Sequence, residues 1–272
     1  MTKPQIIVTG ATGFVGQHLV PLLLQSNCEV IVIGRDENKA RLFDWYDKVE
    51  FISLDYHLAK LNFKPRLGAS LIHLAWQGLP NYTSLFHFEE NLPKNYEFIK
   101  NLVNSGVSKV LAVGTCFEYG FQNGPLSTSM PAKPNNPYAL GKDCLRQYLS
   151  CLQKQSNFTF QWARLFYMYG RGQNPKSILA LLDAAIDRGE PIFNMSGGEQ
   201  LRDYLTVEEV ALQLFNIFEK NEDGIFNVCS GEPISIRRLV ERRIQERNAS
   251  IQMNLGYYPY PDFEPMAFWG KK

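Results

Sequence analysis

The stretch Val8-Thr-Gly-Ala-Thr-Gly-Phe-Val-Gly16 decides the fold of this chain. It follows the apolar run Ile6–Val8, which predicts a short buried strand, and it opens the periodic apolar segment Phe14–Leu24, which predicts a helix. The three glycines therefore stand in a strand-to-helix turn, where they permit a tight turn, a close approach of backbone to a pyrophosphate, and close packing of the helix on the strand. The free N–H groups at the start of that helix would face the phosphates. This context predicts a dinucleotide site.

Composition bounds the class of protein. The 272 residues allow one large domain or two interlocked ones, and a net charge of +1 argues against nucleic-acid and membrane partners. The longest apolar runs have strand length, and we expect no signal peptide, because the N-terminal residues run directly into the first predicted strand. Five cysteines without CxxC spacing fit reduced thiols, and four histidines without HxxxH or HExxH spacing predict no metal site. We therefore expect a cytoplasmic protein.

The first half of the chain alternates strand and helix signals. This alternation predicts an α/β fold, a Rossmann-type doubly wound parallel sheet with helices on both faces. Ligands of such sheets bind outside the carboxyl ends of the strands. Strands are predicted at Ile6–Val8, Glu29–Ile33, Val49–Ser53, Ser70–Leu74 and Lys109–Val113, with helical spacing between them, as over Glu89–Asn104. The glycine loop, Arg35, Asp55, the segment 73–76 and Thr115 all fall at those strand ends.

The second half is less regular. After a proline-rich loop at 121–137, helices are predicted at Tyr138–Gln155, Ser177–Arg188 and Val207–Glu219, and strands at Phe158–Phe166 and from Phe226. We therefore expect a dinucleotide-binding Rossmann domain with the catalytic residues at 1–167. Residues 168–272 would form a smaller C-terminal lobe that mainly binds substrate and returns some elements to the first sheet.

Tyr138 and Lys142 stand four residues apart on a predicted helix, and therefore share one face. An amine beside a phenol favours the phenolate and lowers the tyrosine pKa, which suits proton exchange with a hydroxyl or carbonyl oxygen. Thr115, at the end of a predicted strand, could polarise the same oxygen. Together with the glycine loop, these residues predict a hydride-transfer site in which a cofactor carries the redox step.

The motifs TGATGFVG, HLAW, GTCFEYG, PYALGK, LFYMYGRGQNP, LRDYLTV and NVCSGEPIS, in this order, resemble the extended short-chain dehydrogenase/reductase family. Its members are NAD(P)-dependent nucleotide-sugar epimerases, dehydratases and reductases. The resemblance implies that Tyr138 is the catalytic acid/base, Thr115 its hydroxyl partner, and Lys142 the residue that binds the nicotinamide ribose. It also implies a structural role for Asn91, whereas His73 is interpreted as a core histidine.

The glycine-rich fingerprint at Val8–Gly16 and the family resemblance together give the set of expected cofactor contacts. Asp55 would meet the adenine, and Leu74 and Ala75 would line the pyrophosphate and ribose. The full set is Gly10, Thr12, Gly13, Phe14, Val15, Gly16, Arg35, Asp36, Asp55, Leu74, Ala75, Trp76, Tyr138 and Lys142.

The second strand indicates which nicotinamide is used. NAD-binding sites of this kind carry an acid about 20 residues after the fingerprint, whereas a nearby arginine accommodates the 2′-phosphate of NADP. Gly34 stands at the place of the acid, and Arg35 could pair with a phosphate bidentately. Asp36 could instead turn back toward a ribose. The sequence favours NADP, with NAD as the alternative.

The catalytic strand end narrows the reaction. The family's 4,6-dehydratases carry a Thr-Asp-Glu run there, but this chain reads Thr115-Cys116-Phe117, and Glu118 should point to the other side of an extended strand. We therefore expect reduction of a nucleotide-linked 4-keto-6-deoxyhexose, of the CDP-abequose or dTDP-fucose synthase type. A 4-epimerase with bound NAD, a non-catalytic NADP-binding sensor or scaffold, and an RNA- or protein-binding relative remain as alternatives.

The substrate half carries fewer signals. Arg202-Asp203-Tyr204 resembles the motif whose arginine holds the substrate diphosphate, and a guanidinium suits that geometry. The expected substrate contacts are Cys116, Phe117, Phe193, Met195 and Arg202, with the loop of Gln173, Asn174 and Ser177 bordering the sugar. We expect a nucleotide sugar as substrate and a homodimer as the assembly.

Overall fold

A computed structural model describes residues 3–59, 62–260, 262 and 264–272 of the chain. The strands are β1 (Gln5–Thr9), β2 (Glu29–Gly34), β3 (Glu50–Ser53), β4 (Ser70–His73), β5 (Lys109–Thr115), β6 (Gly124–Leu126), β7 (Thr159–Leu165), β8 (Tyr167–Tyr169), β9 (Ile192–Asn194), β10 (Leu201–Thr206), β11 (Gly224–Val228), β12 (Pro233–Ser235), β13 (Gln252–Asn254) and β14 (Phe268–Gly270). The α-helices are α1 (Gly16–Gln25), α2 (Glu37–Ala40), α3 (Leu92–Asn104), α4 (Pro137–Gln153), α5 (Ile178–Asp187), α6 (Val207–Glu219) and α7 (Ile236–Glu246).

Seven parallel strands form the main sheet in the order β11-β7-β5-β4-β1-β2-β3. The strand β1 lies inside the sheet, where Ile7 pairs with Leu71 of β4 and with Ile31 of β2. All three side chains are fully buried, as expected for strands covered on both faces. The predicted doubly wound parallel sheet is therefore confirmed.

Helices cover both faces of this sheet. Apolar residues of α1 and α6, such as Leu19 and Leu214, pack on one face, and those of α3 and α4, such as Ile99 and Leu149, pack on the other. The helix α3 begins after one π-helical turn, His87–Asn91, whose end residues are both buried. Two cores therefore hold the carboxyl edge of the sheet in place.

The second lobe combines a three-stranded sheet, β12-β10-β8, with α5 and α7 around a separate core. The chain then returns to the first sheet, because α6 packs on it and β11 pairs in parallel with β7. The assignment of residues 168–272 to substrate binding stays a prediction. Among the described residues, no helix is long and apolar enough to cross a membrane.

Candidate active site

A cleft of about 540 Å³ opens at the carboxyl edge of the main sheet. The glycine loop, the ends of β2, β4 and β5, the start of α4 and the segment 165–168 line it. Its lining contains three cations, Arg35, Lys39 and Lys142, and within the described part of the chain no Asp or Glu. Such a lining suits a polyanionic ligand.

The glycine loop has the backbone that a pyrophosphate cradle needs. Gly10 has a φ of +73°, and a Cβ there would lie 2.8 Å from the Ala75 nitrogen. A Cβ at Gly16 would lie 2.2 Å from the Gly10 carbonyl oxygen, so only glycine lets α1 pack this closely. A Cβ at Gly13 would meet the Gly10 oxygen alone, at 3.1 Å, which leaves the face of the loop open. The residues present therefore fit a dinucleotide.

The far end of the cleft, after β2, is positively charged. Arg35 and Lys39 both line it, and Arg35 Nη1 lies 3.9 Å from the Asp55 carboxylate. Asp55 itself accepts the His57 backbone N–H at 3.0 Å. Asp36 caps α2 instead of lining the cleft, because its Oδ1 accepts the Lys39 backbone N–H at 2.9 Å. Two cations, Arg35 and Lys39, therefore line the end of the cleft beyond β2.

A buried polar chain fixes the strand that leads into the cleft. His73 Nδ1 lies 2.9 Å from the Thr9 hydroxyl, and its Nε2 lies 2.6 Å from Asn95 Oδ1. Burial lowers the pKa of His73 to about 3, so the ring is neutral. Asn95 Nδ2 in turn donates to the Asn91 carbonyl, and Asn91 Nδ2 donates to the Gln77 carbonyl at 2.7 Å. This chain of bonds holds the 73–77 segment against α3.

Thr115 and Tyr138 meet at the centre of the cleft. Both side chains line it, and both residues are buried, at 7% and 8% exposure. Burial raises the pKa of Tyr138 above its ordinary value, with further increases from Tyr82 and smaller opposition from Thr115. The expected lowering of the Tyr138 pKa by the neighbouring amine is therefore wrong, because the Lys142 Nζ turns to the Val113 carbonyl and the Trp76 ring. Tyr138 stands in the protonated form that a proton donor requires.

Lys142 is buried under this pair, one helical turn after Tyr138. Its Nζ donates to the Val113 carbonyl at 2.9 Å and lies 4.1 Å from the centroid of the Trp76 ring. Burial lowers the pKa of Lys142 to about 7, whereas the charge of Glu118 opposes that change. The ammonium is therefore poorly compensated.

Glu118 does not line the cleft, but the reason differs from the extended strand assumed above: residues Cys116–Tyr119 form a 3-10 turn that Glu118 caps from behind. It is fully buried, accepts the Thr115 backbone N–H at 2.8 Å, and pairs with Arg164 Nε at 2.7 Å. Trp162 Nε1 donates to the same carboxylate at 3.1 Å. This carboxylate fixes Thr115 from behind and does not reach the space above it.

Aromatic side chains surround Tyr138. Its ring lies 5.3 Å from His87, 5.4 Å from Tyr82, 6.3 Å from Trp76 and 6.5 Å from Phe117, measured between ring centroids. These rings pack around Tyr138, which is only 8% exposed.

With this geometry in place, comparisons with known proteins identify the family. The profile of the NAD dependent epimerase/dehydratase family matches residues 6–229. The chain belongs to this family.

Two proteins of known activity and one solved structure illustrate what the chain is similar to. A dTDP-6-deoxy-L-talose 4-dehydrogenase (NAD(+)) of Aggregatibacter actinomycetemcomitans is 31% identical over 98% of this chain and 99% of its own. A dTDP-4-dehydro-6-deoxyglucose reductase of Escherichia coli is 26% identical over 88% of this chain and 80% of its own. The structure of a UDP-glucuronic acid 4-epimerase from Bacillus cereus, in complex with UDP-glucuronic acid and NAD, superposes with a TM-score of 0.81 at 22% identity, covering 98% and 90% of the two chains. The chain is thus an enzyme of this oxidoreductase and epimerase family.

Most of the residues that the sequence analysis assigned to catalysis and cofactor binding line the cleft described above. The lining includes Gly10, Thr12, Gly13, Phe14, Val15, Gly16, Arg35, Leu74, Ala75, Trp76, Thr115, Cys116, Phe117, Tyr138 and Lys142. Asp36 and Asp55 are not part of it.

The remaining expected substrate contacts lie elsewhere. Phe193 and Met195 are buried in the core of the second lobe, because β9 packs under α5 and α7 there. Arg202 is 3% exposed, and its Nε and Nη2 both donate to Glu264, at 3.0 and 2.7 Å. Its guanidinium also lies 4.4 Å from the Phe268 ring centroid. Arg202 would need to exchange Glu264 for a diphosphate before it could bind one.

Sequence reasoning missed Lys39, Tyr82, His87 and Glu264. Lys39 lies in α2, whereas Arg35 lies before that helix, so the signal that could have indicated Lys39 is its positive charge close to Arg35 in sequence. Tyr82 and Glu264 come from irregular segments and His87 from the π-helical turn, and no local sequence pattern predicts that they lie near the site.

Proposed function

We propose that the protein catalyses NADPH-dependent reduction of the 4-keto group of a nucleotide-linked 4-keto-6-deoxyhexose. One observation carries this proposal: Thr115, Tyr138 and Lys142 meet in a cleft whose described lining contains no carboxylate. Such a site can exchange one proton with one oxygen but lacks the carboxylates that elimination of water would use.

Each residue of the site has a role in this scheme. Tyr138 donates its proton to the C4 oxygen, and the Thr115 hydroxyl holds the same oxygen in place. Lys142 binds the nicotinamide ribose and stabilises the phenolate that remains after the proton has left. The nicotinamide coenzyme, when bound on the glycine loop, supplies the hydride. Dehydration is disfavoured because Glu118 is engaged by Arg164 behind the strand.

The relatives support the same reaction type. The two named above are a 4-dehydrogenase and a 4-keto reductase of dTDP-linked 6-deoxyhexoses. The first matches nearly the full length of both chains, so dTDP-linked 4-keto-6-deoxyhexoses are the first substrates to test. An NAD-dependent 4-epimerase remains the second candidate, since the family includes enzymes of that type.

The preference for NADP rests on the far end of the cleft. Arg35 and Lys39 line it, Gly34 provides no carboxylate, and Asp36 is used as a helix cap. Two cations at this point favour a 2′-phosphate. The Aggregatibacter relative carries NAD(+) in its name, so a direct comparison of the two coenzymes is needed.

The substrate side is proposed from position and chemistry. Cys116 and Phe117 line the cleft next to Tyr138 and would contact the sugar. Arg202 would bind the diphosphate after release from Glu264. Homodimer formation and a cytoplasmic location belong to the same proposal.

The test is incubation of the protein with NADPH or NADH and a panel of nucleotide-4-keto-6-deoxyhexoses, with product identification by NMR. We expect stoichiometric oxidation of NADPH and one C4 alcohol. Interconversion of C4 epimers without net coenzyme consumption would replace the reductase by the epimerase. Binding of coenzyme without turnover of any sugar in either direction would favour a sensor.

A further inference from the structure

The Lys142 ammonium rests on an aromatic ring instead of a carboxylate. Its Nζ lies 4.1 Å from the Trp76 ring centroid, and its hydrogen bond goes to the Val113 carbonyl. A tryptophan face is the strongest aromatic partner for a cation, and the attraction grows when water is excluded. Lys142 is 2% exposed, so this contact is of the desolvated kind.

The plane of the Trp76 ring is itself fixed by His87. His87 Nε2 lies 2.7 Å from the Asn81 carbonyl, which can only accept, so Nε2 carries the proton and Nδ1 is left as an acceptor. Trp76 Nε1–H donates to that Nδ1 at 3.1 Å. His87 is fully buried, and burial lowers its pKa, which keeps the ring neutral and the acceptor available.

Glycine at position 141 lets these groups come together. A Cβ at Gly141 would lie 2.7 Å from the His87 carbonyl oxygen and 3.4 Å from Cζ2 of Trp76. Any side chain there would push α4, and with it Lys142, away from the indole.

We propose that Trp76 is a positioning residue for Lys142: its indole face holds the ammonium in place and in the charged form, and His87 fixes the indole through its Nε1–H. The inference deepens the proposed function, on which its catalytic meaning rests. Without the ring, Lys142 would lose its proton more readily and would bind the nicotinamide ribose less well.

Other ionisable groups near the ammonium are compatible with this role. Glu118 raises the Lys142 pKa through its charge, but it is engaged by Arg164. Burial lowers the pKa values of His73 and His87, and the charge of Lys142 lowers them further, so both rings are neutral. Tyr138 is protonated before turnover.

The test measures the Lys142 pKa directly in the protein without coenzyme. Lysines are labelled with ¹³C at Cε, their NMR signals are followed with pH, and the Lys142 signal is assigned by its absence in Lys142→Met. In Trp76→Leu we expect the midpoint to fall by about 0.5–1.5 pH units, the scale of a desolvated cation–π contact. Trp76→Phe keeps an aromatic face without the N–H and should show a smaller fall.

The His87 variants separate anchoring from simple packing. His87→Leu removes the acceptor and should lower the midpoint, whereas His87→Gln can still accept from the indole and should restore part of it. Trp269→Leu, which removes an indole from β14, should leave the midpoint unchanged. If Trp76→Leu fails to fold, the Lys142 midpoints measured in Trp76→Phe, His87→Leu and His87→Gln decide whether Trp76 positions the ammonium. Equal midpoints in the wild type and all folded Trp76 and His87 variants would overturn the proposal.

A second measurement links the contact to coenzyme and turnover. Trp76→Leu should weaken NADPH binding about tenfold or more. The kcat/KM limb that reports loss of the Lys142 proton should move to lower pH by the same amount as the NMR midpoint. A wild type that turns over no 4-keto sugar would refute the proposed function, yet the NMR midpoints would still decide the role of Trp76.

Discussion

Lys142→Met should stabilise the coenzyme-free protein while abolishing its activity. The Lys142 ammonium is buried and has no carboxylate bonded to it in the described residues, only the Val113 carbonyl and the Trp76 ring. A methionine of similar length places a thioether and methyl group there, without a charge to desolvate. The same change removes the group proposed to bind the nicotinamide ribose.

The size of the effect follows from the pKa of Lys142, which burial lowers from 10.5 to about 7. The unfolded chain therefore binds this proton more tightly than the folded one. The free-energy cost of burying the charged Lys142 side chain is complete below pH 7, and it falls as the pH rises from 7 to 10.5. Linkage gives a cost of about 5 kcal/mol near pH 6 and about 3 kcal/mol at pH 8.5. The Val113 carbonyl loses its donor in the variant, which leaves a net stabilisation of about 2–3 kcal/mol near pH 6.

The assay is thermal unfolding of both proteins without coenzyme from pH 6 to pH 8.5. The variant should melt about 5–10 °C higher at pH 6, and its advantage should shrink toward pH 8.5. Lys100→Met, which removes an exposed lysine on α3, should change the melting temperature little at any pH. A Lys142→Met protein that melts at or below the wild-type temperature throughout would show that the ammonium is well compensated in the fold, and the argument from burial would fail.

Three further predictions concern catalysis and binding. Tyr138→Phe should lower kcat by about 10²–10⁴, the value of general acid catalysis, while the Kd for NADPH changes little; near-normal turnover would remove Tyr138 from the mechanism. Arg35→Ala and Lys39→Ala should each weaken NADPH binding about tenfold in titrations, a modest loss because both side chains are exposed, and the effects on NADH should be smaller because NADH lacks the 2′-phosphate. Equal losses for the two coenzymes would assign these side chains to the adenine. Glu264→Gln should tighten binding of dTDP to Arg202 in calorimetry, whereas Arg202→Ala should weaken it; unchanged affinity in both variants would place the diphosphate elsewhere.

The fold could be predicted because its signals are local. The strand before Gly10 and the helix after Gly16 are each encoded by a short apolar pattern, and the need for glycine at 16 follows from close helix packing. The five N-terminal strand positions differ from the observed strands by at most two residues at either end. Thr115, Tyr138 and Lys142 lie together because a parallel sheet brings its carboxyl ends to one edge.

The second lobe could not be predicted in the same way, because its partners are distant in sequence. The short strand β6 lies within the predicted loop 121–137 and exists through pairing with β14, more than 140 residues later. Arg202 has the sequence context of an exposed ligand-binding residue, but Glu264 encloses it from a segment with no secondary-structure signal. Phe193 and Met195 precede Arg202 in sequence, and yet they face a core built from α5 and α7.

The distribution of carboxylates explains why the cleft suits anionic ligands. Glu118 is bound to Arg164 behind the catalytic strand, and Asp203 accepts the backbone N–H groups of residues 230, 231 and 270. Glu264 pairs with Arg202. Each of these three acids thus has its own partner outside the cleft, whose described lining carries the cations Arg35, Lys39 and Lys142 and no carboxylate. A dinucleotide would supply the missing negative charge, and its binding should raise the Lys142 pKa, so coenzyme affinity should increase as the pH falls from 8.5 toward 7. The test is to measure the Kd for NADPH at both pH values in the wild type and in Lys142→Met, the control in which this dependence is removed. The same change of Kd with pH in both proteins would contradict the inference.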